Sequence, residues 1–278
     1  MRSRYLVYGM SPVSEFFAGE LPRKFAHRGA SGTHPENTME AFRAAIESGA
    51  EGFELDVHRT ADGHIVVFHD DILERTTDAD GPIHERSLAE LRELDAGFRF
   101  SPDGGRSFPF RGAGVRIPTL AEVLEAFPDT PLIIEVKQVL PALEEDLARL
   151  LREMGAGGRC LVFSLEQAPL ARYRDLEPEQ PTGFGPEDVA DFLRRLGSDA
   201  WDDFRPPAVA FAVPTTWRGT QIVSRPFVDA AHGFGCEVYV WTVNDPREMK
   251  TLLELGVDGL ITDFPDRLSK LLTGRTTG

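Results

Sequence analysis

The sequence predicts an α/β protein, a (β/α)8 barrel of the TIM type with an insertion between its second strand and the helix that follows. Short β-branched runs alternate with helix-patterned segments along most of the chain, the rhythm of a parallel sheet with helices outside it. The alternation completes eight strand-helix units, the count that a closed barrel requires. No Gly-rich dinucleotide fingerprint is present, which disfavours an open doubly wound sheet.

The elements follow in order. A first strand is expected near residues 24–27, then a helix over about 37–48 with Met39, Phe42, Ala45 and Ile46 at helical spacing. The second strand is 52–57, and its short helix, 120–127, comes late and opens on Thr119 as an N-cap. The third strand is 132–136 with a helix over 141–154, and the fourth is 160–163 with a helix over 166–174. The fifth unit is the weakest, a strand near 182–184 before a helix over 186–196. Strands at 208–213, 237–242 and 259–262, each followed by a helix, complete the set.

Two features interrupt the rhythm. Asp62-Gly63 lies between two strand-like runs, a strong hairpin signal. Folding the chain there makes residues 64–69 a return arm above the barrel mouth and sets His69 opposite Leu55, beside Glu54 and Asp56. His58 and His64, flanking the turn, are expected to be exposed. The second interruption runs from about 70 to 118, is rich in Gly and Phe, and reads as the insertion.

The chain has 278 residues, 41% of them hydrophobic, enough for a substantial core. The barrel reading assigns residues 23–278 to one domain and sets 1–22 apart as a tail. No apolar run is long enough to cross a bilayer. The apolar stretch after Arg4 is too short for a secretory signal core, so a cytoplasmic location is expected. The net charge of −15 opposes binding to nucleic acid and to anionic membranes. The expected partner is therefore a small molecule, with no stable membrane insertion, and no motif specifies an oligomeric state. Cys160 and Cys236 form no CxxC pair and read as small buried hydrophobes.

Sites of (β/α)8 enzymes lie at the C-terminal strand ends, and ionisable residues collect there. Glu54 and Asp56 are two apart on a strand, so they share a face. Two such carboxylates repel unless a cation lies between them; an exposed edge or ordinary ion pairing is the plainer alternative for this pair alone. Glu135 and Lys137 repeat the spacing in Ile133-Ile134-Glu135-Val136-Lys137, where a buried Glu–Lys pair competes with a third carboxylate for the cation. Three carboxylates suit one hard divalent ion, Mg2+ or Ca2+. His27-Arg28 follows the first strand, offering a proton-transfer group and a donor fork for phosphate. With the cation, Arg28 and Lys137, the site carries one net positive charge, suited to a phosphodiester monoanion. Trp241 either walls the pocket or belongs to the barrel core, and Asp263 reads as a turn residue before Pro265.

Taken together, His27-Arg28-Gly29-Ala30-Ser31-Gly32, Pro35-Glu36-Asn37-Thr38, Glu54-Leu55-Asp56-Val57, Val66-Val67-Phe68-His69-Asp70, Arg75-Thr76-Thr77, Ile117-Pro118-Thr119-Leu120, Ile134-Glu135-Val136-Lys137 and Trp241-Thr242-Val243-Asn244 resemble the glycerophosphodiester phosphodiesterase family. The resemblance implies a (β/α)8 barrel and metal-assisted hydrolysis of glycerophosphodiesters to sn-glycerol 3-phosphate and an alcohol. It implies His27 and His69 as catalytic, Glu54, Asp56 and Glu135 as metal ligands, and Arg28 and Lys137 as phosphate contacts; Trp241 is a further substrate-contact candidate by its place near the end of a strand. The alternatives are a lysophospholipase-D-like activity, for which the Phe-rich insertion could supply an apolar groove, and a binding barrel without catalysis, against which all five of these histidines and carboxylates argue.

Overall fold

A computed structural model describes residues 15–274. In chain order the elements are β1 (Arg23–His27), α1 (Met39–Glu47), β2 (Gly52–Arg59), β3 (Ile65–Val67), α2 (Leu88–Leu91), α3 (Leu120–Ala126), β4 (Leu132–Val136), α4 (Glu144–Glu153) and β5 (Cys160–Phe163). They continue with α5 (Gln167–Leu176), α6 (Pro186–Ser198), β6 (Ala210–Pro214), β7 (Thr216–Trp217), β8 (Thr220–Gln221), α7 (Arg225–Gly233), β9 (Glu237–Trp241), α8 (Pro246–Leu255), β10 (Gly259–Thr262) and α9 (Pro265–Thr273).

The main sheet runs in the order β5-β4-β2-β1-β10-β9-β6, and each neighbouring pair along it is parallel. The gap between β5 and β6 is closed by single parallel bridges, Val162 to Thr182 and Gly183 to Ala210. This is the weak fifth unit. Pro181 precedes it, Gly185-Pro186 follows it, and a Cβ on Gly183 would meet the Phe163 Cβ at 2.8 Å, so only a minimal strand fits. The fold is a (β/α)8 TIM barrel.

Strand alternation sorts the side chains. Phe53, Leu55, Val57, Leu132, Ile134 and Val136 face outward into the layer shared with α1, α3 and α4. Phe211, Val213, Val238 and Val240 do the same beneath the helices of the other half. The opposite parity fills the barrel with Phe25, Ile133, Leu161, Phe163, Ala210, Ala212, Tyr239 and Ile261.

Part of the expected tail packs on the barrel. Residues 1–14 lie outside the described part, but Phe16 and Phe17 of the expected tail are buried against Phe25 and Tyr239. Beside them Arg23, paired with Glu237, donates through Nη2 to the Phe17 carbonyl at 2.7 Å. Two adjacent phenylalanines after a polar stretch cover the lower end of the barrel because its interior residues there are otherwise open to water.

The hairpin forms with the expected register: Val57 faces Val67, His58 faces Val66 and Arg59 faces Ile65, antiparallel. Its return arm is shorter than expected, three residues. Residues 70–118 follow it before α3. They hold a small core of their own, Leu73, Ile83, Leu91, Ala96, Val115 and Ile117, packed on Val66 and Phe68. The phenylalanines of this segment make ring contacts within it. Phe100 packs edge-on against Phe110, and Arg111 lies over both Phe98 and Phe108. Both cysteines are free and buried, with thiol pKa values pushed up to about 12 by burial. No described helix is long and apolar enough to cross a membrane.

Candidate active site

Going up the barrel interior, the apolar residues give way to ionisable ones. Two residues above Phe25 is His27, above Ile133 come Glu135 and Lys137, and above Ile261 is Asp263. Glu54 and Asp56 hold the same parity on β2, between β1 and β4. The barrel thus gathers every sequence-assigned residue at one mouth, with Trp241 partly buried on the rim of the interior cluster.

Ligand oxygens of Glu54, Asp56 and Glu135 lie within 4.8 Å of one another, and all three residues are buried. Burial and the charge of Asp56 push the Glu54 carboxyl well above its ordinary pKa. Burial and Asp56 also raise Glu135. Burial acts upward on Asp56 too, but Arg28 and Lys137 outweigh it and hold that carboxylate low. Glu54 Oε2 and Asp56 Oδ1 are buried with no hydrogen-bond partner; His27 Nε2 lies 3.8 Å from the first and Lys137 Nζ 3.7 Å from the second. Unsatisfied buried carboxylate oxygens are costly. Two of them aimed into an all-oxygen cluster fit a hard divalent cation.

The cations frame this cluster. Arg28 Nε lies 3.0 Å from Asp56 Oδ2, and its Nη1 donates to Glu36 at 3.0 Å. Asn37 Nδ2 donates to Asp56 at 2.9 Å. Arg28 takes a left-handed backbone, φ 55, fixed by its N–H to the Glu54 carbonyl and by its carbonyl to the Asn37 N–H. Lys137 Nζ donates to Glu135 at 2.8 Å and to His69 Nε2 at 3.1 Å. An ammonium only donates, so His69 accepts at Nε2 and carries its ring proton on Nδ1.

Each histidine is backed by a carboxylate. His27 Nδ1 is 2.6 Å from Asp263, and His69 Nδ1 is 2.5 Å from Asp70. Asp263 accepts in turn from Asn244 Nδ2 at 2.6 Å and Ser31 Oγ at 2.8 Å. The sequence reading gave Asp263 only a turn role. Strand parity from Ile261 was the signal that could have found it. His58, expected at the surface, is 1% exposed; its Nε2 donates to the His69 carbonyl at 3.2 Å. It shares the interior parity of Glu54 and Asp56, which overrides its nearness to the turn. His64 is exposed, as expected. Trp241 sits beside Pro214 in register, its indole Nε1 buried without a hydrogen-bond partner, and the next residue, Thr242, places Oγ1 3.5 Å from His27 Nε2.

Two histidines with carboxylate backing, two cations and a carboxylate cluster can bind an anion and move protons beside it. The comparisons with known proteins agree with this chemistry. A family model described as the glycerophosphoryl diester phosphodiesterase family matches residues 27–267. The chain is 34% identical to the glycerophosphodiester phosphodiesterase of Caldanaerobacter subterraneus, over 89% of this chain and 96% of that one. Its structure resembles that of an Oleispira antarctica phosphodiesterase solved with the product sn-glycerol-3-phosphate, at a TM-score of 0.72 and 28% identity, covering 91% of this chain and 97% of that one. It also resembles a glycerophosphodiester phosphodiesterase of Agrobacterium tumefaciens, at a TM-score of 0.71 and 26% identity over 89% of this chain and 98% of that one. The chain therefore belongs to the glycerophosphoryl diester phosphodiesterase family and is a phosphodiesterase.

Proposed function

We propose that this enzyme hydrolyses glycerophosphodiesters to sn-glycerol 3-phosphate and an alcohol with one divalent cation, Mg2+ or Ca2+. The observation that carries the metal reading is the buried triad Glu54, Asp56 and Glu135, two of whose oxygens have no hydrogen-bond partner. A cation held there supplies positive charge that polarises a phosphoryl oxygen. Arg28 and Lys137 bind the phosphate from the flanks of the triad, Arg28 through the N–H groups that Asp56 and Glu36 do not take and Lys137 as a point charge. Each reaches Asp56 as well, so the phosphate binds where the carboxylate charge is balanced. His27 and His69 move the protons, one taking a proton from the attacking water as its oxygen bonds to phosphorus and the other giving one to the alcohol whose P–O bond breaks. Asp263 and Asp70 fix the ring orientations.

A second observation bears on the alcohol. A groove of about 590 Å³ runs between α6 and the β7–β8 hairpin, lined by Leu165, Phe184, Val189, Leu193, Val213 and Trp217 among others. Two of its lining residues neighbour the strands that carry the site: Pro214 pairs with Trp241, and Leu165 follows Ser164, whose Oγ donates to the Val136 carbonyl next to Lys137. This apolar wall supports a lysophospholipid as a second substrate, its chain lying in this groove.

One assay tests both. Glycerophosphocholine and a series of lysophosphatidylcholines are compared with and without EDTA. Chelation is expected to abolish turnover, and Mg2+ or Ca2+ to restore it. A chain that enters the groove raises kcat/KM by about fourfold per added methylene until the groove is full. Full activity in demetallated protein would end the metal reading, and a flat chain-length series would end the lysophospholipid one.

A further inference from the structure

Arg75 has no part in the chemistry above, yet its contacts tie the two sides of the site together. It follows His69-Asp70 on a turn pinned by the fully buried Leu73 and Thr77, with Thr77 Oγ1 donating to the Leu73 carbonyl at 2.8 Å. The guanidinium closes on two carboxylates. Its Nη1 and Nη2 donate to Glu36 at 2.7 and 2.6 Å. Its Nε donates to Asp70 Oδ2 at 2.5 Å, and Nη2 also reaches Asp70 Oδ1 at 3.2 Å.

Both carboxylates have a second partner in the site. Glu36 accepts from Arg28 at 3.0 Å, and Asp70 holds His69 Nδ1 at 2.5 Å. A continuous chain of hydrogen-bonded and ion-paired groups thus runs from His69 through Asp70, Arg75 and Glu36 to Arg28 and on to Asp56. Burial acts to raise the Glu36 carboxyl, but Arg75 and Arg28 outweigh it and hold it low.

Arg75 is 46% exposed at the rim, where a simple surface ion pair contributes little. Two facts argue for more. The fork engages Glu36 through both nitrogens, the geometry that fixes orientation. The guanidinium's donors are also committed to protein carboxylates, which leaves little of it for a substrate phosphate.

We propose that Arg75 is a positioning residue for the phosphodiesterase reaction, fixing His69 through Asp70 and Arg28 through Glu36, and so setting the spacing between a proton-transferring ring and the phosphate clamp. This rests on the roles proposed for His69 and Arg28.

A double-mutant cycle tests it. Arg75→Ala is expected to lower kcat/KM by about 10–100-fold, with kcat reduced through His69 and KM raised through Arg28. Arg75→Lys keeps the charge without the fork and recovers only part of the loss. It also serves as the second variant if Arg75→Ala folds poorly by its thermal midpoint. In a His69→Ala background the kcat effect of Arg75→Ala shrinks to less than about threefold, and in an Arg28→Ala background the KM effect shrinks likewise, because coupled residues are not additive. The same loss in all backgrounds, or no loss in the parent enzyme, overturns the proposal. Wild-type rates in His69→Ala would instead remove the role given to His69, and the Arg28 arm would then decide alone.

Discussion

Asp263 shows how much one carboxylate does at this mouth. It orients His27 at 2.6 Å and is itself held by Asn244 and Ser31. Burial acts to raise its pKa, but the bond and charge of His27, with Asn244 and Ser31, hold it below its usual value near 3.8. A depressed carboxylate contributes stability above that usual value and loses it as pH falls through the lower folded value. Asp263→Asn keeps the shape and removes the charge. We expect kcat to fall about 10–100-fold with KM little changed, and the acid side of the stability curve, below about pH 4, to flatten. Denaturation midpoints taken across that range measure the second effect, and parallel curves for the two proteins would refute it. The residue was within reach of the sequence. Glu54, Asp56 and Glu135 were found because a two-residue spacing inside an apolar strand marks one face. Asp263 bears the same relation to Ile261, but lies one residue beyond β10, where a turn before Pro265 explains an aspartate equally well. His58 went astray for a related reason, since the nearby turn hid its interior parity.

At the scale of elements, loops after strands aim the chemistry, and the loop after β1 is closely packed on α1. Gly29 has φ 80, and a Cβ there would lie 2.6 Å from the Ala41 backbone of α1. Gly29→Ala must strain the left-handed backbone and displace α1 or the loop. We expect a loss of about 2–4 kcal/mol, read from thermal or urea denaturation. A raised KM should accompany it, because Arg28 is the preceding residue. Unchanged stability would mean that the loop relaxes without cost. The hairpin was legible because Asp-Gly with Gly63 at φ 89 specifies a turn locally, and the register follows from it. The fifth strand was legible only as a weak unit, since its pairing is set by space left beside Phe163 and not by its own propensity. The β7–β8 hairpin was not anticipated at all. Two residues per arm, all exposed, carry no alternation to detect, and the groove beside it depends on which helix packs opposite. Phenylalanine content pointed to residues 70–118 instead, where Phe98 and Phe108 lie against Arg111 and Phe100 packs on Phe110.

For the whole molecule, the site's carboxylates are part of a strongly acidic chain, net −15. A cation bound at Glu54, Asp56 and Glu135 removes repulsion that the folded state concentrates and the unfolded chain disperses. Anything that binds only the folded state stabilises it by mass action, about 2.7 kcal/mol at a hundredfold excess over Kd. For a chain of this size that corresponds to a rise in melting temperature of about 4–8 °C. Dispersed surface charge complicates the measurement, because any salt screens the general repulsion of an acidic protein. The two effects separate by form. Site binding gives a midpoint that keeps rising with the logarithm of Mg2+ or Ca2+ concentration above Kd, whereas Na+ at matched ionic strength gives only the screening component. Glu54→Gln and Glu135→Gln each remove a carboxylate from the triad while leaving nearly all the surface charge in place. They are expected to erase the divalent-specific rise and keep the screening one. A rise of equal size with Na+, or one that survives in both variants, would assign the stabilisation to the acidic surface and leave the triad without a metal.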